Sequence, residues 1–441
     1  MLITSFALCL SSCGFVGIGV GGGESDSELS GSRTESNTEG HSNTEPPAET
    51  TDATQPDADT AEQESSATDT AEPETETELE TERETYVPDY DTRGVLSYEH
   101  LGELSGGRNV VFFLIDRFDV RYFESLQKKE PEFLEELGGF TYYNDYLSLY
   151  CRTYPAITSI LTGKENDFED TRLNYFKEAY TSRGHLHNMF FAGYDVTVYT
   201  EKYYAYDNAA YMRPYVKNVA TTGQYTEDMK TLHEHLTQND FELTDSYGQF
   251  TFIHLYGCHT PVKYNLDWEE ATDKEKNDTT LALKQSLTII YEYMEQMKKL
   301  GVYEDATIII TGDHPAAISD TKLIGEASKS DNGTRVTAML FKRSGETGDE
   351  LKINSAQISQ DELWHTIYES EGLDSLKTGE SFFDIPEGEE RTRRYLFERS
   401  VKLEDGKTRA DEIVEYRITG SGRNRENWQI YKTTVVGRIY K

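Results

Sequence analysis

The run Val110-Val-Phe-Phe-Leu-Ile115 is apolar at every position and ends directly in Asp116. A short run with no polar interruption reads as a strand buried on both faces, and such strands belong to parallel sheets covered by helices. A second run, Ala306-Thr-Ile-Ile-Ile310, repeats the design and delivers Asp313 and His314. In open α/β sheets, functional groups gather beyond the carboxyl ends of the strands. The two runs therefore constrain the chain to an α/β fold, a mostly parallel sheet flanked by helices with acidic groups collected at one end.

Two carboxylates and an imidazole suit a divalent cation, with Zn²⁺ or Mn²⁺ favoured and Mg²⁺ admissible. A hydroxyl can complete the set. Thr153 stands two residues before Pro155 and just ahead of the apolar stretch Ala156 to Leu161. Pro is tolerated in the first turn of a helix. A Thr at that place lies in the positive field of the helix N-terminus. A cation and the helix end together favour the ionised form of a hydroxyl that is otherwise a poor nucleophile.

Five motifs then stand in a fixed order: Asn109 to Asp116, Thr153-Tyr-Pro155 through Leu161-Thr-Gly163, Gly193 to Tyr199, His254-Leu-Tyr-Gly-Cys-His259-Thr-Pro261, and Ile308 to Asp313-His314. The set resembles the alkaline phosphatase superfamily and, within it, the sulfatase-like enzymes. The Thr-x-Pro…Leu-Thr-Gly segment is similar to the sulfatase signature, with Thr153 at the nucleophile position. The His254–Pro261 segment resembles a loop of the phosphoethanolamine transferases, and Thr at the nucleophile position is shared with lipoteichoic acid synthases. The resemblance covers about residues 105–375. It implies Asp116, Thr153, Asp313 and His314 as metal ligands and Thr153 as the nucleophile. It also implies His259 as a phosphate-binding or leaving-group residue, with His254 on the substrate side.

The departures from the sulfatase pattern carry their own information. Sulfatases convert a Cys or Ser at the nucleophile position to formylglycine, which Thr153 cannot become. Cys151 lies four residues before Pro155 instead of two, and Ala156 and Ile157 replace the Ser-Arg that follows the Pro in sulfatases. The first strand ends in Asp116-Arg117 instead of two aspartates, and no second ligand set is evident, so a single metal is expected. The expected reaction is transfer of a phospho-substituent, of phosphoglycerol or phosphoethanolamine type, from a phospholipid or similar donor to an envelope glycan or lipid. Hydrolysis of the same intermediate is the alternative, and a stalked binding protein on the same scaffold is a third reading.

Charge patterning sets the context. The net charge of −37 is concentrated in residues 24–91, which hold about 22 acids against two arginines among many Ser, Thr and Pro. Such a stretch cannot bury enough apolar surface to offset chain entropy, so residues 24–95 are expected to be a disordered tether. As a coil it would span roughly 45 Å. No basic footprint for nucleic acid is present. Residues 1–23 form an apolar leader with three readings: signal peptide, spanning helix, or lipoprotein signal with Cys13 lipidated. A chain start that truncates a longer membrane region is a further reading. All of them place residues 96–390, the expected catalytic domain, outside the cytoplasm on a membrane-anchored cell surface.

The remaining cysteines, Cys151 and Cys258, flank the motifs and are either a disulfide or two buried thiols. Tyr is abundant, at 30 residues. Tyr203, Tyr204, Tyr206 and Tyr211 cluster with Lys202 and Arg213, as a substrate rim or as surface packing. Helices are expected at 120–129, 131–137, 156–162, 185–192, 226–237, 281–300 and 361–369, and strands at 195–199, 250–255 and 335–341. Residues 391–441 read as a small antiparallel β appendage.

Overall fold

The computed structural model describes residues 83, 85, 95–200, 209–220, 229–316, 335–402 and 409–436. The leader with Cys13, Lys202 and Tyr203 to Tyr206 lie outside these residues, as does the tether apart from residues 83, 85 and 95.

The central sheet is built from β1 (Arg108–Ile115), β2 (Thr141–Leu147), β3 (Tyr194–Thr200), β4 (Gly248–Leu255), β5 (Ala306–Thr311), β6 (Thr337–Lys342), β7 (Lys352–Asn354) and β8 (Ile358–Ser359). The strand order is β7-β2-β6-β5-β1-β4-β3, with β8 also on β2. β1 lies between β4 and β5 and is parallel to both. Among these strands only β6 runs the other way, antiparallel to β5 and β2. Its start lies beside the end of β5, where Met339 pairs with Thr311. The expected α/β class and mostly parallel sheet are therefore what the chain forms.

The two-residue period of a strand explains why both faces of β1 are apolar. Val110, Phe112 and Leu114 join one core cluster, and Val111, Phe113 and Ile115 join the other. The second face packs against α1 (Val120–Lys129). The first packs against α2 (Thr153–Thr162), α3 (Arg172–Thr181) and α4 (His185–Phe191). α5 (Met229–Gln238) and α6 (Thr279–Leu300) return to the second face, and α7 (Leu363–Ser370) to the first. α6 starts at Asp278, whose carboxylate accepts from the Thr280 and Leu281 N–H groups, and stops at Gly301. No helix among the described residues is long and apolar enough to cross a membrane.

Among the elements not anticipated, β2 and α3 are the longest. The Tyr-rich strand β2 alternates less cleanly than β1, because Tyr142, Tyr143 and Tyr146 are all buried on its two faces. α3 carries Arg172, Asn174 and Lys177 among its aromatic residues, which blurs the helical stripe.

The C-terminal residues form a three-stranded antiparallel sheet, β9 (Thr392–Lys402), β10 (Arg409–Thr419) and β11 (Trp428–Val436). The third strand starts at Trp428, which packs against Tyr395 and Tyr416. This sheet is fastened to the central one by Arg393. Its guanidinium donates to the Asp145 carboxylate at 3.0 Å, to the Asp145 carbonyl at 2.5 Å, and to the carbonyls of Ile358 and Gly420 at 3.0 and 2.9 Å. Both side chains of the ion pair are almost fully buried, at 2% and 4% exposure. At the other end of the described chain, Arg83 donates to the carbonyls of Phe190 and Tyr194 at 2.7 and 2.8 Å and pairs with Asp195 at 2.5 Å.

Removing one member of a buried ion pair leaves an uncompensated charge, which typically costs about 3–5 kcal/mol. Arg393→Ala is expected to lower unfolding free energy by about that much in a urea titration. A change below about 1 kcal/mol would show that the two sheets do not depend on this pair.

Candidate metal centre and active site

Every candidate ligand comes from a loop that leaves the carboxyl end of a strand pointing the same way. Asp116 follows β1, Thr153 lies beyond β2, His254 is next to last in β4 with His259 just beyond, and Asp313-His314 follows β5. The topology therefore gathers residues far apart in sequence at one end of the sheet.

Asp116 sits at the centre and is 1% exposed. Its backbone is clamped between β1 and the loop after β4. The Asp116 N–H donates to Leu255 O at 3.0 Å, and Cys258 N–H donates to Asp116 O at 2.8 Å. Gly257 makes this clamp possible. It has φ +67°, and a Cβ there would lie 2.3 and 2.4 Å from the Asp116 backbone O and N. No other residue fits so close an approach in that conformation.

The side chains then converge. Thr153 Oγ1 lies 3.4 Å from Asp116 Oδ2 and 3.4 Å from His314 Nε2. His314 Nε2 is 3.6 Å from Asp116 Oδ1 and 3.4 Å from Asp313 Oδ2. One ligand atom each from Asp116, Asp313 and His314 lie within 4.8 Å of one another. His314 Nδ1 faces the Pro315 carbonyl at 2.9 Å. A carbonyl only accepts, so Nδ1 carries a hydrogen, and Nε2 is the ring atom turned to the cluster. Asp313 Oδ1 accepts the backbone N–H groups of Arg117 and His314 at 2.9 and 2.8 Å. Its Oδ2 is buried with no hydrogen-bond partner.

The electrostatics fit a missing positive charge. Burial opposes ionisation of Asp116, but His259, His254 and His314 outweigh it and hold the carboxyl well below its usual range. Asp313 is pushed up, by burial and then by the neighbouring Asp116 charge. A buried carboxylate oxygen without a donor is costly unless a cation supplies the partner. Two carboxylates, an imidazole lone pair and a hydroxyl are the donor set of a divalent ion. The residues present thus fit one metal held by Asp116, Thr153, Asp313 and His314.

Thr153 is the first residue of α2, so its side chain stands at the helix N-terminus. The helix starts three residues earlier than the apolar stretch indicated, which brings the hydroxyl into the first turn. At the far end Gly163 closes it with φ +75°. His259 flanks the cluster. Its Nε2 lies 2.9 Å from Asp116 Oδ1, and its ring stacks on Tyr256 at 4.8 Å. An ionised carboxylate only accepts, so His259 Nε2 carries a proton here. Its side chain keeps 18% exposure, the most open of the three histidines around Asp116.

His254 is buried behind the site, with Nε2 3.8 Å from Asp116 Oδ2. Arg213 is buried just after the short helix Ala209–Met212, and Tyr211 packs against the core. These two do not form an exposed rim, which agrees with the packing alternative. Cys151 and Cys258 are free thiols. Burial pushes both above the ordinary thiol value.

Two contributors escaped the sequence reading. Asp119 caps α1, binds Arg121 at 2.6–2.9 Å, and accepts from Ala316 N–H at 3.1 Å, which pins the loop after His314. Asp119 immediately before an amphipathic helix was the available signal. Gly257 was inside a quoted motif, but its close approach depends on a partner strand that sequence does not show.

The Sulfatase family model matches residues 108–372. The chain belongs to the sulfatase family. No curated protein matches it. Similar solved structures include a protein in the alkaline phosphatase superfamily from Vibrio parahaemolyticus, at 14% identity, with 78% of this chain and 81% of that chain covered and a TM-score of 0.44. Another is the C-terminal periplasmic domain of EptC from Escherichia coli, at 15% identity, 75% and 96% coverage and a TM-score of 0.41. A third is the lipoteichoic acid synthase LtaP from Listeria monocytogenes, at 12% identity, 74% and 86% coverage and a TM-score of 0.43.

Two predictions come from this geometry. Asp313→Asn keeps the shape but removes one of two crowded negative charges. The metal-free variant is expected to be at least as stable as the metal-free wild type, while Mn²⁺ or Zn²⁺ raises its melting temperature little or not at all. A metal-induced rise equal to wild type would remove Asp313 from the ligand set. Gly257→Ala is expected to displace Asp116, lowering metal content in elemental analysis and stability by more than about 1 kcal/mol. Normal metal content in a folded Gly257→Ala protein would contradict the clamp.

Proposed function

We propose that this protein is a metal-dependent phosphotransferase of the extracytoplasmic cell surface. It moves a phosphoglycerol- or phosphoethanolamine-type substituent from a phospholipid-like donor to an envelope glycan or lipid. The observation that carries the reading is Thr153 itself. An unmodifiable hydroxyl starts helix α2 and stands 3.4 Å from both Asp116 and His314. A sulfatase needs a formylglycine there, so membership of the family does not bring sulfate-ester hydrolysis with it.

A divalent metal at this site would act as a Lewis acid and lower the pKa of a coordinated hydroxyl. The chain's own groups do the rest. Asp116 Oδ2 faces the Thr153 hydroxyl and orients it. Thr153 Oγ1, ionised by loss of its proton to solvent before the attack, forms a bond to the donor phosphorus as the donor's ester O–P bond breaks, and it leaves again as the same alkoxide when the intermediate is resolved. The departing oxygen takes the proton held at His259 Nε2. The acceptor hydroxyl then attacks the phosphothreonine diester, returns a proton to His259 and frees Thr153. Water in place of the acceptor gives hydrolysis, the alternative outcome.

Thr153→Ala is expected to abolish turnover of bis(p-nitrophenyl) phosphate, and Thr153→Ser to retain a reduced rate because it keeps the oxygen but frees its rotamer. Cys151→Ser should stay active. Mass spectrometry of the metal-loaded protein exposed to phosphatidylglycerol or phosphatidylethanolamine is expected to find the head group and phosphate on Thr153. Turnover that survives Thr153→Ala but is lost in Cys151→Ser would overturn the assignment. Product analysis with and without a hydroxyl acceptor separates transfer from hydrolysis.

A further inference from the structure

The family match ends at residue 372, yet the segment that delivers the nucleophile is held by a strand beyond it. β2 stops at Leu147 and α2 starts at Thr153, leaving an extended connection. That connection is stitched to β9 as an additional short strand. Leu396 N–H donates to Leu149 O at 2.7 Å, and Cys151 N–H donates to Leu396 O at 3.2 Å. Tyr150 and Leu396 form the corresponding parallel bridge. One pair further on, the Glu398 N–H donates to Cys151 Sγ at 3.1 Å. The Glu398 side chain is 5% exposed, and its Oε1 lies 3.9 Å from Nε of Arg152. Arg152 is the N-cap of α2 and immediately precedes Thr153.

We propose that the C-terminal three-stranded sheet is part of the catalytic unit, and that Glu398 is a positioning residue that sets where Thr153 enters the ligand cluster. Residues 149, 151 and 152 are each held by β9, so the step from strand to helix has little freedom left. The Arg152 side chain is 44% exposed, and the buried Glu398 carboxylate links it to β9. At 3.9 Å the contact is an ion pair through charge, not a hydrogen bond. Thr153 stands at 3.4 Å from each of its two partners, so a small displacement of the helix start separates it from both. Misplacement of a reacting group by about 1 Å from a remote change can cost about a hundredfold in rate.

The kinetic part of this inference rests on Thr153 being the nucleophile; the positioning part does not. The test uses the full chain with Glu398→Ala, Glu398→Gln, Arg152→Ala and the double variant Arg152→Ala with Glu398→Ala. Hydrogen exchange is followed in peptides spanning 148–154 and 108–115, and kcat and KM are measured on bis(p-nitrophenyl) phosphate at saturating Mn²⁺. Glu398→Ala is expected to speed exchange in 148–154 while 108–115 stays protected. It should lower kcat about ten- to a hundredfold with KM changed less than about twofold. Glu398→Gln, which keeps the shape, should fall between Ala and wild type. The double variant should be no slower than the slower single one, because paired residues act as a unit. Unchanged exchange in 148–154 overturns the proposal, as does an additive double variant or faster exchange spread through 108–115. If wild type does not turn over the diester, the proposed reaction fails, and the exchange pattern still decides the positioning role.

Discussion

Asp116 and Asp313 place two carboxylates side by side where bulk water does not reach, at 1% and 0% exposure. Like charges in such a place destabilise the fold unless something positive meets them. The surrounding structure is organised around that requirement. Three imidazoles face Asp116, two backbone N–H groups serve one oxygen of Asp313, and the other oxygen faces His314 Nε2 at 3.4 Å. The sheet order is the means: β1 supplies one acid, its neighbour β5 supplies the other with His314, and its neighbour β4 supplies His254 and the His259 loop. The helices on either face bury the strands whose ends must not move.

Much of this was legible in the sequence because it depends on local chemistry. Unbroken apolar runs announced β1 and β5, and the acids that follow them fell at the carboxyl ends, where a parallel sheet collects its functional groups. Asp116, Thr153, His259, Asp313 and His314 meet within hydrogen-bonding or ligand distance of a common centre. What escaped was non-local. β2 is a strand of tyrosines whose two faces are both buried, so alternation gave no signal. The direction of β6 is set by its pairing with β5 and β2, which are distant in sequence. Arg213 looked like a rim cation beside aromatic residues, yet it is buried, because sequence neighbours on a loop need not share its exposed side.

The site also shows how a family scaffold and its chemistry separate. The matched segment accounts for the cluster, while under the proposed reading the side chain at position 153 decides which reaction the cluster can run. A threonine offers an oxygen with one fewer conformational choice than serine and no route to an aldehyde. The loop before it borrows rigidity from β9, a strand outside the matched segment. Domain limits drawn from sequence similarity therefore do not coincide with the limits of the working unit.

Arg83 gives the chain a mechanical direction. It grips the carbonyls of Phe190 and Tyr194 and the carboxylate of Asp195, at the amino-terminal end of β3, the outermost strand on its side of the sheet. The ligand cluster lies at the opposite, carboxyl-terminal end. A strand the length of β3, Tyr194–Thr200, spans about 20 Å. Any pull transmitted by the preceding chain is thus taken up by a three-point grip at the far end of the sheet. Whatever precedes Arg83 thus joins the domain at the pole opposite Thr153 and Asp116.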